Sequence, residues 1–189
     1  MDKDGKMTVS PSASLKVLHA LPERHSVNLI SIFGAARQGK SFLMNLLANQ
    51  QDLFRISNEK EPCTQGVDLS SHFMPLEAFS RINGCPPVSG SNMSIGFVDA
   101  EGQGDRDITC TCDRIIRNQQ NFTVNPTDDS RLVSPVLLSS KVVIFNWKDS
   151  LQADRMLNLL AVLAKAAQNV ELAEGETRKV FGHLHMFVS

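Results

Sequence analysis

A chain of 189 residues, 42% of them hydrophobic, is long enough for one domain whose buried core needs neither disulfides nor a metal ion. Its 19 lysines and arginines nearly balance its 20 aspartates and glutamates, and no basic cluster interleaves with aromatic residues, which disfavours nucleic-acid binding. The most apolar stretch, residues 136–147, is too short for a transmembrane segment, and the polar start is unlike a secretory signal. Because the four cysteines form no C-x-x-C pair and the start lacks the pattern of a secretory signal, we expect free thiols and a cytoplasmic location.

The N-terminal third of the chain contains the clearest pattern of secondary structure. Residues 1–26 are expected to be a flexible leader, with 14–21 as a short strand or lead-in. Residues 27–33, VNLISIF, form the continuous apolar run that is typical of a strand buried on both faces of a parallel sheet. Residues 41–49 place leucines and a phenylalanine at helical spacing. The sequence therefore predicts a strand, a loop and a helix in that order.

The rest of the chain continues this alternation of strands and helices. A surface loop is predicted at 52–66, a strand or hairpin at 67–79, strands at 93–98, 142–147 and 180–188, and a long amphipathic helix at 151–172. Residues 110–128 follow no clear period, and we interpret them as an insertion. The fold class that results is α/β, with a mainly parallel sheet flanked by helices and right-handed crossovers.

The loop between the first strand and the first helix matches the phosphate-binding pattern G-x-x-x-x-G-K-S/T. Its residues are Gly34, Ala35, Ala36, Arg37, Gln38, Gly39, Lys40 and Ser41. The glycines let the backbone curl so that successive N–H groups point at phosphate oxygens, and the helix N-terminus adds its partial positive charge. The side chain of Lys40 would reach the β- and γ-phosphates, and the hydroxyl of Ser41 would bind Mg²⁺. The pattern predicts binding of a nucleoside triphosphate.

Two further residues are candidates for the magnesium site. Asp99 ends the strand predicted at 93–98, as the acidic residue of the Walker B motif does. Parallel strands end at the same edge of a sheet, so Asp99 is expected to lie near Ser41. Thr64, in the sequence Cys63-Thr64-Gln65-Gly66, is the candidate for a hydroxyl from a switch loop, although an ordinary loop threonine fits the sequence equally well.

In this order and at these spacings, the segments GAARQGKSFLMN, CTQG and DAEGQGD resemble the large GTPases of the guanylate-binding protein and atlastin group. The resemblance extends over most of residues 27–188, and it implies a P-loop GTPase domain that uses GTP and Mg²⁺. It also implies a homodimer through the GTPase face. Residues 27–189 would then form a partial GTPase domain with the insertion at 110–128.

The resemblance implies a role for each matching residue. Arg37 would be an internal arginine finger that stabilises transition-state charge when two GTPase domains face each other. Thr64 would be the switch threonine, and Glu101 would lie in the D-x-E-G turn near the γ-phosphate. The implied catalytic set is Arg37, Lys40, Thr64 and Glu101. The implied metal ligands are Ser41, Thr64 and Asp99, and the nucleotide site runs from Gly34 through Ser41 to Phe42.

Three departures from the family pattern keep a second interpretation open. Pro62 occupies the place of a serine that helps to position the attacking water, and the insertion at 110–128 directly follows the DAEG turn. The Arg-Asp pair that reads guanine does not follow the last strand, so we expect a domain incomplete on its C-terminal side. The sequence Asn146-Trp147-Lys148-Asp149 does not have the N-K-x-D order, and we interpret it as a strand end and turn. The alternative is a non-catalytic nucleotide-binding or interaction module with weak base specificity.

Overall fold

The structure, a computed structural model, describes residues 9–56, 66–100, 136, 139–148, 160–161 and 183–188. The described helices are α1 (Pro11–Ala20), α2 (Lys40–Leu47) and α3 (Leu76–Ile82), and the described strands are β1 (Ser26–Gly34), β2 (Val67–Leu69), β3 (Met74–Pro75), β4 (Met93–Ala100), β5 (Ser140–Trp147) and β6 (His183–Val188). The strands form a six-stranded sheet in the order β2-β4-β1-β5-β6, with β3 also paired to β4.

The centre of the sheet is parallel. Strand β1 pairs in parallel with β4 and β5, and β5 pairs in parallel with β6, whereas β2 and β3 are antiparallel to β4. The three central strands, predicted at 27–33, 93–98 and 142–147, therefore lie side by side. The predicted α/β fold with a mainly parallel sheet is confirmed.

The two faces of the sheet bury different sets of side chains, because successive residues of a strand point to opposite sides. One face packs against α2 and α3 through a core cluster of Ile30, Ile32, Met44, Ala48, Phe54, Met74, Ile95 and Phe97. The opposite face carries a second cluster of Val98, Ala100 and Val136. It also carries a row of aromatic rings, in which Phe145 is tilted against Phe33 and stacked on Trp147.

Two predicted segments differ from the structure. Residues 14–21, for which we expected a short strand or lead-in, lie almost entirely in α1, which begins after the N-cap Ser10 with Pro11 in its first turn. Residues 67–79 do not form a hairpin with each other, because β2 and β3 each pair with β4 and α3 begins at Leu76. The strand option for 14–21 was therefore wrong, and the prediction for 67–79 was right only in part.

Some predictions fall outside the described residues. The insertion at 110–128 lies outside them, as does most of the helix predicted at 151–172, of which only the helical residues 160 and 161 are described. Within the part of the chain that the structure describes, no helix has the length and apolar character needed to cross a membrane.

Candidate functional site

The loop from β1 to α2 has the backbone conformation that a phosphate-binding loop requires. Arg37 and Gly39 have φ angles of 62° and 76°, so the chain turns twice through the left-handed region before α2 begins at Lys40. The carbonyl of Gly39 accepts a hydrogen bond from the amide of Leu43 at 2.9 Å, which starts the helix. A β-carbon on Gly39 would meet no atom of the described residues within 4 Å. Among the described residues, none fills the space beside Gly39, next to the N–H groups at the start of α2.

Lys40 is the first residue of α2, and its side chain reaches back over the loop that joins β1 to this helix. Its ammonium group donates a hydrogen bond to the carbonyl of Ala35 at 2.9 Å, and the residue is only 7% exposed. The apolar part of the Lys40 side chain is therefore buried, and its ammonium group lies against the backbone of the loop. An ammonium group in this place attracts phosphate oxygens as a point charge.

The hydroxyl of Ser41 donates a hydrogen bond of 2.5 Å to a carboxylate oxygen of Asp99. The two residues are 58 positions apart in the chain, and they meet because β1 and β4 are parallel neighbours that end at the same edge, with Ile32 opposite Asp99. Asp99 is completely buried. A serine hydroxyl and a carboxylate are the hard oxygen donors that Mg²⁺ prefers, so the donor set fits this ion.

Asn146, near the end of β5, connects the loop between β1 and α2 to the neighbouring strand of the sheet. The side-chain amide of Asn146 donates a hydrogen bond of 2.7 Å to the carbonyl of Gln38, and both residues are buried. Asn146 also lies opposite Gly34 in the register of β1 and β5. The sequence predicted a strand end here but not this contact, since nothing local indicates which carbonyl a strand asparagine will reach.

A second asparagine, Asn45 on α2, holds the chain that follows the helix. Its amide nitrogen donates to the carbonyls of Gln51 and Phe54 at 2.8 and 2.9 Å, and its oxygen accepts from the amide of Phe54 at 2.8 Å. Phe54 is thereby kept in the core beside α2. The hydrogen bonds of Asn45 thus fix the position of Phe54, from which the chain continues toward the predicted switch threonine, Thr64. The sequence signal for these hydrogen bonds is an asparagine within a helical pattern of leucines, and the predictions did not use it.

One acidic residue near the site was also missed. Asp68 lies opposite Asp99 in the antiparallel pairing of β2 with β4. Asp68 is exposed at the edge of the sheet, but neighbouring protein atoms remove some water from its charged form, and this desolvation raises the pKa of its carboxyl group above the ordinary value. The register that brings the two aspartates together cannot be read from the short and polar segment around Asp68.

The structure thus brings together Lys40, Ser41 and Asp99, and it places Arg37 and Gln38 in the same loop. Phe42 lies on α2 with 59% of its surface exposed. Thr64 and Glu101, both assigned catalytic roles by resemblance, lie outside the described residues together with Pro62, and their roles stay predictions. In the described part of the chain Cys85 is a free and exposed thiol, and no group of three or more His, Cys, Asp or Glu side chains forms a metal cluster.

Comparison with known proteins identifies one family. The family model described as guanylate-binding protein, N-terminal domain, matches residues 4–180, which is nearly the whole chain. A search among curated proteins found no match. The matched region includes the loop 34–41, Asp99 and the five strands β1 to β5, and it ends before β6 begins.

Proposed function

This chain belongs to the guanylate-binding protein family, since the family's N-terminal domain matches residues 4–180, and on that premise we propose that it binds GTP with Mg²⁺ and hydrolyses it. The family membership establishes a GTPase-like nucleotide-binding domain. The observation that carries the finer proposal is the contact of the Ser41 hydroxyl with Asp99, in a loop whose backbone also holds the ammonium group of Lys40. These groups are the ones that a triphosphate and its metal ion require at one edge of the sheet.

The proposed binding of phosphate follows from the charges around the loop. The first turn of α2 presents backbone N–H groups that have no partner inside the helix, and it contains no acidic residue. Lys40 would exchange the carbonyl of Ala35 for the β- and γ-phosphate oxygens. Ser41 and Asp99 would bind Mg²⁺, with Thr64 as a further ligand. Bound Mg²⁺ would neutralise the charge that develops on the phosphate oxygens.

For hydrolysis we propose Arg37 as the group that stabilises the transition state. Arg37 has a positive φ at a bend of the loop 34–41, the segment for which we propose phosphate binding. In a homodimer formed through the GTPase faces, its guanidinium group would turn toward the phosphates and oppose the charge on the leaving oxygen. Glu101 would act from the turn after Asp99. A cytoplasmic location, expected from the sequence, stays a prediction.

A second candidate is a nucleotide-binding module that does not hydrolyse GTP. Pro62 favours it, because a proline at this place offers no hydroxyl to position the attacking water. Binding of the triphosphate through Lys40, Ser41 and Asp99 would be the same in both cases. The two candidates differ only in turnover, and they can be separated by measuring binding and hydrolysis on the same samples.

The experiment compares wild type with Arg37→Ala and with Arg81→Ala, an exposed arginine in the last turn of α3. We expect Mg²⁺-dependent release of phosphate from GTP that falls in Arg37→Ala on the order of a thousandfold, with nucleotide affinity nearly unchanged. Arg81→Ala should behave like wild type. Binding without turnover in the wild-type chain would favour the module, and absence of binding would contradict both candidates.

A further inference from the structure

Asp68 occupies a position beside the proposed magnesium site that its place in the sequence does not suggest. It lies on β2 directly opposite Asp99, with Val67 opposite Ala100 and Leu69 opposite Val98. Directly opposed residues of an antiparallel pair project from the same face of the sheet, with β-carbons about 4.5–5.5 Å apart. Asp68 therefore lies on the same face as Asp99, whose carboxylate accepts the hydrogen bond of Ser41.

The alternation of neighbouring residues supports this placement. Val98 and Ala100 belong to the core cluster on the face away from α2, so their partners Leu69 and Val67 project to that side. The residue between them must project to the α2 side, because the period of a strand is two. Ile95 and Met74, another opposed pair, likewise both enter the cluster against α2.

The register of β2 and β4 brings two carboxyl groups, those of Asp68 and Asp99, to directly opposed positions. Like charges directly opposite each other across two strands repel, and no hydrogen bond or ion pair from the described residues satisfies the carboxylate of Asp68. A divalent cation next to Ser41 and Asp99 would attract both carboxylates, and this attraction would outweigh their mutual repulsion. Functional sites typically contain residues that destabilise the protein without its ligand and become favourable when the ligand binds.

We propose that Asp68 is a positioning residue of the magnesium site, where it holds a water molecule of the hydrated ion and strengthens its binding. This inference rests on the proposed function. Mg²⁺ keeps several of its waters in protein sites, so a carboxylate one strand away from Asp99, at a strand spacing of about 4.8 Å, can act through such a water. Asp68 does not contact the reacting atoms and is not a catalytic residue.

A purely structural role would have a different signature. A charged residue on a short edge strand can serve only to discourage pairing with other chains, and β2 is the last strand on its side of the described sheet. In that case the asparagine variant would bind Mg²⁺ like wild type. The carboxylate would matter for solubility alone.

The test compares Asp68→Asn with Asp52→Asn, which removes the same charge from an exposed residue of the loop after α2. Two quantities are measured: the unfolding temperature without nucleotide or metal, and the affinity for Mg²⁺ in the presence of saturating fluorescent GTP analogue. We expect Asp68→Asn to raise the unfolding temperature by about 1–3 °C and to weaken Mg²⁺ binding about tenfold. Asp52→Asn should change neither quantity.

The outcomes separate this inference from the proposal on which it rests. A wild-type chain that binds the analogue with Mg²⁺, together with an unchanged Mg²⁺ affinity in Asp68→Asn, would overturn the role of Asp68 alone. A wild-type chain that binds no analogue would overturn the proposed function and this role with it. Weakened Mg²⁺ binding with an unchanged affinity for the analogue in EDTA would support the role, because the loss is then confined to the metal.

Discussion

A β-carbon on Gly34 would collide with the backbone carbonyl oxygen of Asn146, its partner across β1 and β5. The two strands approach this closely at the point where the phosphate loop begins. Gly34 also has a φ of 154°, which side chains rarely adopt. The first glycine of the motif is therefore required by the sheet itself, whatever it contributes to the proposed binding of phosphate.

We expect Gly34→Ala to lower the free energy of unfolding of the nucleotide-free chain by roughly 3 kcal/mol, because the strands must separate or the backbone must strain. The control is Gly84→Ala, at an exposed glycine with φ of 65° where a β-carbon meets no described atom within 4 Å. It should cost about 1–2 kcal/mol from the backbone conformation alone. Urea unfolding measures both, and equal losses would show that the collision with Asn146 is relieved at no cost.

The hydrogen bond from Asn146 to Gln38 should matter for nucleotide binding more than for the rest of the fold. Asn146→Ala removes it, and we expect a loss of stability of about 1–2 kcal/mol and an affinity for GTP about tenfold weaker because the loop is less well held. Isothermal titration measures the affinity. Asn28→Ala, which removes a contact with Met93 at the start of β1, should leave the affinity unchanged. If both variants bind alike, the loop keeps its shape without Asn146.

The three hydrogen bonds of Asn45 predict a local effect on the chain after α2. In Asn45→Ala the amide of Phe54 loses its acceptor in a buried place, and we expect a loss of about 3 kcal/mol in the free energy of unfolding. Hydrogen exchange at Phe54 should accelerate accordingly. Gln50→Ala, which changes an exposed side chain of the same turn, is the matched control. Unchanged exchange at Phe54 in Asn45→Ala would mean that core packing alone holds this segment.

The central strands and the main part of the site could be predicted because their signals are local. The apolar runs at 27–33, 93–98 and 142–147 end within about two residues of the observed strands β1, β4 and β5. The motif from Gly34 to Ser41 fixes the order of strand, loop and helix, and the parallel sheet then brings Asp99 to Ser41. Fold class and family were confirmed on this basis.

What the sequence did not predict depends on distant partners or on weak patterns. The contact of Asn146 with Gln38 joins residues 108 positions apart, and the pairing of Asp68 with Asp99 depends on the register of a three-residue strand. Helix α1 was missed because it buries no residue and leaves Leu15 and Leu18 exposed, so no apolar face marks it. Its signal was the N-cap Ser10 followed by Pro11.

The most direct test of the central claim is an equilibrium titration of fluorescent GTP with Mg²⁺ into wild type, Lys40→Met and Lys16→Ala. Lys40→Met keeps the packed stem and removes only the charge, and its unfolding temperature is measured to show that the loop is still folded. Lys16 is an exposed residue of α1 and serves as the control. The account predicts that Lys40→Met weakens binding at least about a hundredfold, or roughly 2.7 kcal/mol, while Lys16→Ala binds like wild type. Equal affinity in wild type and Lys40→Met would contradict it.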